Sequence, residues 1–207
     1  MSEPTFATLV SRWYEHNARD LPWREPGIGA WAILVSEVML QQTPVVRVLP
    51  AWEAWLTRWP TPAALAEDSP AEAIRMWGRL GYPRRAVRLR DCAVAIVERH
   101  GGEVPERLDQ LLALPGVGTY TARAVAAFAY GQRHPVVATE ELLPVEPAAA
   151  ALASAAFMEL GAVVCTARAP RCTVCPVESV CAWSSAATSS RWSTRSTRSS
   201  STRRGPR

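Results

Sequence analysis

Residues 114–122, LPGVGTYTA, lie between two apolar segments with helical spacing and form the most informative stretch of the chain. Pro115 restricts φ, whereas Gly116 and Gly118 permit a positive φ and a close approach of the backbone to another group. Thr119 is a suitable N-cap for the helix that follows. Such a turn leaves unpaired N–H groups at a helix N-terminus, which bind anions such as a DNA phosphate. The alternative is an ordinary corner between two packed helices.

Positive charge is distributed unevenly along the 207 residues, and all 23 basic residues are arginine. Residues 184–207 hold 6 of them and no acid, so the first 183 residues carry 17 arginines against 19 carboxylates. Any DNA-binding face on the body must therefore come from local clustering rather than from the net charge. No apolar run approaches the ~20 residues of a membrane span, and no signal peptide is evident. We expect a soluble, cytoplasmic protein with no membrane partner.

The segment WAILVSEVMLQQ, residues 31–42, is apolar on nearly every side and predicts a buried helix. Glu37 lies in its middle, where a carboxylate is costly unless it is paired or protonated. Burial would raise its pKa into the range of a general acid near neutral pH. The alternative is a structural ion pair with an arginine across the core. Thr43 and Pro44 predict the N-cap and first residue of the next helix.

The densest basic segment of the body contains six arginines within sixteen residues: Arg75, Arg79, Arg84, Arg85, Arg88 and Arg90. The sequence Gly81-Tyr82-Pro83 interrupts it. An exposed aromatic residue between arginines suits insertion into a base stack with phosphate contacts beside it. The alternative is a solvated helix face with a packed tyrosine.

Strand-like alternation is scarce along the chain, which predicts an all-α fold. A first amphipathic helix is expected over residues 5–18. A later helix over residues 85–100 contains Cys92, which we take as a core residue. An Ala-rich helix is expected over residues 147–162, with Leu152 among its larger anchors.

Four cysteines fall within 17 residues in the pattern Cys165-x6-Cys172-x2-Cys175-x5-Cys181. In a cytoplasmic protein this grouping favours a thiolate metal site over disulfides. The spacing alone does not separate zinc from an iron–sulfur cluster, although zinc ribbons usually carry two C-x2-C pairs and this chain has one. The Ser, Thr and Arg-rich residues 184–207 are predicted to be disordered.

These motifs together resemble those of the helix–hairpin–helix DNA glycosylases of the endonuclease III superfamily, and among them the adenine DNA glycosylases (the MutY family). The resemblance lies in Leu21-Pro22-Trp23-Arg24, in residues 36–43, in residues 114–122 and in the four cysteines. It implies a six-helix barrel domain joined to a small helical domain that holds a [4Fe–4S] cluster. The expected divisions are an N-terminal helix packing on the cluster domain over 1–29, the barrel with hairpin 114–118 over 30–137, a shortened cluster domain over 138–183 and the tail over 184–207.

The resemblance also implies residue roles. Glu37 matches the acid that protonates the departing adenine, and Gln42 and Tyr82 match positions that intrude into the duplex beside the oxidised guanine. Further DNA contacts are implied for Thr43, Leu114, Gly116, Val117 and Gly118, and cluster ligation for Cys165, Cys172, Cys175 and Cys181. Tyr120 is also placed in the catalytic set, because it stands where bifunctional relatives carry a Schiff-base lysine. Since the chain has no lysine, a monofunctional hydrolase is implied.

Two departures from the family pattern bear on activity. The family's catalytic Asp would fall at Ala138, and the chain has no Asp beyond the hairpin. The segment from Ala138 to the first cluster cysteine is also about half the usual length, and the family's C-terminal domain is not found. Loss of such an electrostatic stabiliser costs on the order of 10²–10³ in rate. We therefore expect a monomeric adenine glycosylase acting on A:8-oxoguanine or A:G mispairs in duplex DNA, with an inactive mispair-binding protein or a degenerate product as alternatives.

Overall fold

The computed structural model describes residues 4–137 and 140–188, the side chains of 186–188 excepted. This part of the chain is helical and contains no β-strand, which confirms the all-α prediction. Ala138 and the tail beyond residue 188 lie outside the described residues. The helices are α1 (Phe6–Asn17), α2 (Ala30–Leu40), α3 (Val45–Arg58), α4 (Pro62–Ala66), α5 (Pro70–Trp77), α6 (Arg84–His100), α7 (Leu108–Leu112), α8 (Thr119–Tyr130), α9 (Pro147–Val163) and α10 (Ala182–Thr188). Within these described helices, none is long and apolar enough to cross a bilayer.

Helix α2 is the centre of the main core. Nine of its eleven residues are buried, because α3, α6 and α8 pack around it. Tryptophans fill much of this core: the Trp55 ring meets Trp59 at 4.6 Å and Trp77 at 5.6 Å between centroids, both edge to face. The Trp52 indole N–H donates to the carbonyl of Ala32 at 2.9 Å and ties α3 to α2. The side chains of α2 are therefore held in fixed directions.

A smaller core joins α1 to α9, and the segment after α1 is fastened to the same helix by ion pairs. Glu159 on α9 is fully buried. Its Oε1 accepts from Arg19 Nε at 2.6 Å, and its Oε2 accepts from Arg19 Nη2 and Arg24 Nη2, each at 2.9 Å. Helices α1 and α9 thus form one wall of a cleft whose other wall is α2 and α8.

The predicted hairpin joins α7 to α8, and one of its two glycines cannot be replaced by a residue with a side chain without strain. Gly116 has a φ of 76°, and a Cβ there would lie 2.9 Å from Arg88 Cβ. Gly118 has a φ of −91° and open space around it, so it does not use the conformational freedom that glycine permits. The predicted capping role of Thr119 is wrong. Gly118 is the N-cap and Thr119 is already the first helical residue, because the extended backbone that an N-cap needs falls at Gly118.

Two further predictions differ from the structure. Helix α3 begins at Val45 with Pro44 as N-cap, because the Thr43 hydroxyl is occupied elsewhere: it donates to the Leu80 carbonyl at 3.3 Å. Leu152, expected as a core anchor of α9, is 38% exposed and lines the cleft. By contrast, Cys92 is buried in α6 as predicted.

Candidate active site

A cavity of about 730 Å³ lies between the main core and the α1–α9 wall, within the size range of small-molecule sites. A second cavity of about 680 Å³ runs beside the turns that carry Gln42 and Tyr82. Glu37, Leu40 and Tyr120 line both cavities. The side chain of Glu37 therefore lies where an apolar chamber meets an arginine-lined surface.

The carboxyl group of Glu37 is buried, with 5% of the residue exposed. Burial raises its pKa to about 7, although the Tyr120 hydroxyl and the charge of Arg24 both act to lower it. Among the described residues, none forms an ion pair with Glu37. The ion-pair alternative considered for this residue is therefore not found in the described part of the chain. A carboxyl group with this pKa exchanges a proton near neutral pH.

Tyr120 lies in the first turn of α8 and reaches toward Glu37 across the cleft. Its hydroxyl donates to Met158 Sδ at 3.7 Å and lies close enough to the Glu37 carboxyl group to lower the pKa of that group. Burial and the neighbouring Glu37 raise the pKa of the phenol well above its ordinary value. The phenol therefore keeps its proton and acts as a hydrogen-bond donor when Glu37 is ionised.

Gln42 and Tyr82 occupy similar backbone positions on two adjacent turns. They have φ values of 55° and 49°, and they are the non-glycine residues with positive φ in the described chain. Tyr82 is 66% exposed, which excludes the packed-tyrosine alternative, and Arg84 and Arg88 lie beside it along the second cavity. The two turns project together from the arginine-lined surface.

The six predicted surface arginines do not all face solvent. Arg85 is buried, and Arg90 donates to the backbone carbonyls of Ala66 and Asp68, each at 3.2 Å. Thr43, predicted to contact DNA, is 7% exposed, and its hydroxyl accepts from Arg85 Nη2 at 3.1 Å. Thr43 thus lies behind Gln42 rather than on the surface. Sequence reasoning missed this inward arrangement because the chain separates Thr43 from Arg85 by 42 positions.

The hairpin presents its backbone rather than its side chains. Leu114 and Val117 are buried, whereas Gly116 and Gly118 are exposed. A small hollow separates the hairpin from α6, lined by Pro115, Gly116, Val117, Arg85 and Arg88 among others. Of the predicted contact residues, the two glycines therefore supply accessible backbone.

The four cysteines of the C-terminal region line one cavity of about 40 Å³. All are free thiols, so the disulfide alternative is not realised. No three His, Cys, Asp or Glu side chains of the described chain converge closely enough to hold a single metal ion.

A helical fold with a buried acid between two cavities and a glycine hairpin beside it is the arrangement of a helix–hairpin–helix glycosylase domain. Residues 35–164 match the family described as HhH-GPD superfamily base excision DNA repair protein. Two solved structures share the fold. A thermostable thymine-DNA glycosylase has a TM-score of 0.79 at 22% identity, covering 87% of this chain and 95% of that one. A non-covalent endonuclease III–DNA complex has a TM-score of 0.73 at 17% identity, covering 88% and 95%.

Curated relatives identify the branch of this superfamily to which the chain belongs. Adenine DNA glycosylase of Mycolicibacterium smegmatis is 53% identical over 200 residues, which cover 84% of this chain and 68% of that protein. The enzyme of the same name from Mycobacterium tuberculosis is 50% identical, with 85% and 66% covered, and the human one is 40% identical, with 85% and 39% covered. The chain spans about two thirds of the length of the mycobacterial relatives. It belongs to the HhH-GPD superfamily of base excision DNA repair proteins and, within it, to the adenine DNA glycosylase family.

Proposed function

We propose that the chain is a monofunctional DNA glycosylase that hydrolyses the N-glycosidic bond of adenine mispaired with 8-oxoguanine or guanine. The observation that carries this proposal is the position of Glu37. Its buried carboxyl group, with a pKa of about 7, lies between the apolar chamber and the surface formed by the Gln42 and Tyr82 turns. Membership of the adenine DNA glycosylases indicates which base enters the chamber.

In the proposed reaction the adenine rotates out of the duplex into the chamber, because its glycosidic bond is not accessible inside the stack. The neutral Glu37 carboxyl group donates its proton to a ring nitrogen of the base. The bond between the sugar carbon and the base nitrogen then breaks, and its electron pair leaves with the base while positive charge develops on the sugar. A water molecule adds its oxygen to that carbon, and the proton released by the water returns to the Glu37 carboxylate.

Tyr120 supports the ionised state of Glu37 in this sequence. Its hydroxyl lowers the pKa of Glu37, which means that it stabilises the carboxylate formed when the proton leaves. Because the sequence contains no lysine, no lysine amine can attack the sugar to form a Schiff base. The product is therefore a free base and an abasic sugar with the strand intact.

Duplex DNA is proposed as the partner of a monomeric chain. The exposed ring of Tyr82, the adjacent Gln42 turn and the arginines of α6 lie on one surface, with the backbone of Gly116 and Gly118 nearby. Arginines beside a protruding aromatic ring bind phosphates while the ring enters the base stack. Leu114 and Val117 support the hairpin from inside rather than contacting DNA through their side chains.

We infer that Cys165, Cys172, Cys175 and Cys181 hold a [4Fe–4S] cluster within a domain over residues 138–183, onto which the N-terminal helix packs. The packing of α1 on α9 and the shared cavity of the four thiols support this division from the barrel over 30–137. When bound, the cluster supplies iron–thiolate bonds that tie the loops after α9 together. Iron and sulfide analysis of the purified protein tests the inference, and replacement of Cys172 by Ser would lower the iron content.

A second candidate function, binding of the mispair without hydrolysis, is favoured by the carboxylates of the cleft. Among the described residues that line the cleft, the carboxylates are Glu37 and Glu25, and Glu25 is exposed. The position at which the family resemblance implies a catalytic Asp is Ala138, outside the described residues. Without a carboxylate at that position, the positive charge that develops on the sugar has less stabilisation.

Single-turnover release of adenine from a duplex with A opposite 8-oxoguanine tests both candidates. We expect slow release by the native chain, a loss of about 10³-fold in the Glu37→Gln variant and a gain of about 10²-fold in the Ala138→Asp variant. Glu98→Gln, on the exposed face of α6, serves as the matched control. No release by the native chain or by Ala138→Asp, with mispair binding retained, would establish the binding function instead. Absence of both release and binding would reject both candidates.

A further inference from the structure

We propose that Arg85 is a positioning residue that holds the Gln42 and Tyr82 turns in one fixed relation, so that both side chains enter the duplex together. This inference rests on the proposed function, because it concerns how that site engages DNA. It goes beyond it by assigning specificity to a buried arginine that cannot itself reach a base.

The guanidinium of Arg85 joins two segments that are distant in sequence. On one side, Nη1 donates to the carbonyls of Val38 at 3.0 Å, Met39 at 3.2 Å and Gln41 at 2.6 Å. On the other side, Nη2 donates to the carbonyls of Leu80 at 3.2 Å and Gly81 at 3.1 Å, and to Thr43 Oγ1. One planar group thus binds the residues immediately before and after Gln42 and the two residues immediately before Tyr82.

Both turns need such a constraint. Gln42 and Tyr82 lie in the left-handed region, with φ values of 55° and 49°, which side chains other than glycine rarely adopt. Strained backbone of this kind persists only where the surroundings determine it, and it is concentrated at functional sites. Arg85 also contacts the Tyr82 ring. Its Cζ lies 5.7 Å from the centroid of that ring and 5.2 Å from the centroid of the Trp77 ring.

The charge of Arg85 is balanced by backbone rather than by a carboxylate. Within the described residues it forms no ion pair, and its contacts fall on the C-terminal end of α2. The last carbonyls of a helix lack intrahelical donors and carry partial negative charge, which stabilises a cation there. A lysine would keep the positive charge, but a single ammonium group cannot donate to all six oxygen acceptors, which belong to two separate segments. The replacement Arg85→Lys therefore separates geometry from charge.

The test measures affinity and base unstacking with two duplexes, one containing A opposite 8-oxoguanine and one fully paired. In each, 2-aminopurine lies next to the 8-oxoguanine position and becomes fluorescent when it is unstacked. In the Arg85→Lys variant we expect about a tenfold loss of affinity for the mispaired duplex, loss of the fluorescence increase, and affinity for the paired duplex unchanged within about twofold. Gln42→Ala should weaken mispair binding in the native chain and add little in the Arg85→Lys background.

Two further variants complete the test, the first as a control and the second as a weaker change to the same hydrogen-bond network. Arg99→Lys makes the same exchange at an exposed position in the last turn of the same helix and should leave both signals unchanged. Thr43→Val removes one acceptor of the network while Arg85 remains, and should reduce mispair preference and fluorescence in the same direction but less. If Arg85→Lys does not fold, as judged by circular dichroism, Thr43→Val decides by the same criteria.

Native preference for the mispair together with native fluorescence in Arg85→Lys would overturn the inference, as would an equal loss of affinity for both duplexes. The second outcome would show that Arg85 supports the DNA-binding surface as a whole rather than the contact with the mispair. If the native chain itself shows neither mispair preference nor a fluorescence increase, the proposed function fails first, and the role of Arg85 fails with it.

Discussion

The walls of the cleft contain two buried glutamates in opposite electrostatic environments. Burial alone would raise the pKa of Glu159, but hydrogen bonds from Arg19 and Arg24 outweigh it and lower the pKa to about 2. Burial raises the pKa of Glu37 to about 7, and the hydroxyl of Tyr120 offsets it only in part. Glu159 is therefore a permanent carboxylate, whereas Glu37 gains and loses a proton near neutral pH.

The neighbours of the two helices explain this difference. Helix α2 packs against α3, α6 and α8, and no arginine of the described residues reaches Glu37 to form an ion pair. Helix α9 faces the connection after α1, from which two arginines reach Glu159. Arg24 binds Glu159 at 2.9 Å and acts on Glu37 only through its charge. The ion pairs of Glu159 thus stabilise the α1–α9 wall of the cleft. Glu37, which forms no ion pair among the described residues, is available for proton transfer.

The largest expected effect comes from removing the paired member. Glu159→Ala leaves two arginines without their carboxylate, and we expect the free energy of unfolding to fall by about 4 kcal/mol at pH 7. Because the pKa of Glu159 is lowered in the folded state, the stabilisation is present above the ordinary pKa of 4.5 and is lost as pH falls toward about 2. Urea unfolding at several pH values measures both effects. Glu15→Ala, on the exposed face of α1, is the control, and a loss below about 1 kcal/mol would contradict the assignment.

Replacement of the unpaired glutamate should act in the opposite direction. The folded state raises the pKa of Glu37 from 4.5 to about 7, so native stability falls as pH rises through this interval, by about 3 kcal/mol. The variant Glu37→Gln carries no ionisable group and should lose this dependence. It should be more stable than the native chain at pH 8 and similar to it below pH 4.5. Thermal unfolding across this range tests the expectation, and equal pH dependence in both proteins would show that folding does not raise the pKa of Glu37.

A smaller effect is expected from removing the hydroxyl of Tyr120, which lowers the pKa of Glu37. Tyr120→Phe removes the donor that lowers the pKa of Glu37, so this pKa should rise further, by under about one unit. NMR titration of the protein with ¹³C-labelled glutamate carboxyl groups reports the change directly. Tyr130→Phe, at the other end of α8, removes a hydroxyl that donates to the Val104 carbonyl and lines neither cavity, and should leave the titration of Glu37 unchanged. A fall in the pKa of Glu37 in Tyr120→Phe would contradict the proposed contact.

The sequence was sufficient for features that depend on near neighbours. The burial of Glu37 follows from the apolar residues around it on one helix, and the positive φ that Gly116 permits follows from its turn. Interactions between distant segments could not be predicted. No local pattern shows that Glu159 meets arginines about 140 positions earlier, or that Arg85 turns inward to bind residues 38–43. Thr43 was misassigned for the same reason, since a capping residue and a buried acceptor have the same local sequence.

The buried Cys92 has a consequence for labelling experiments. Burial raises the pKa of its thiol to about 12, so the thiolate that alkylating reagents require is absent at neutral pH. The other four thiols are exposed or half-buried and share one cavity. Mass spectrometry after brief alkylation therefore counts accessible sulfurs that carry no iron. Four adducts mark folded chains without bound iron, five mark unfolded chains, and chains that carry a cluster stay unlabelled.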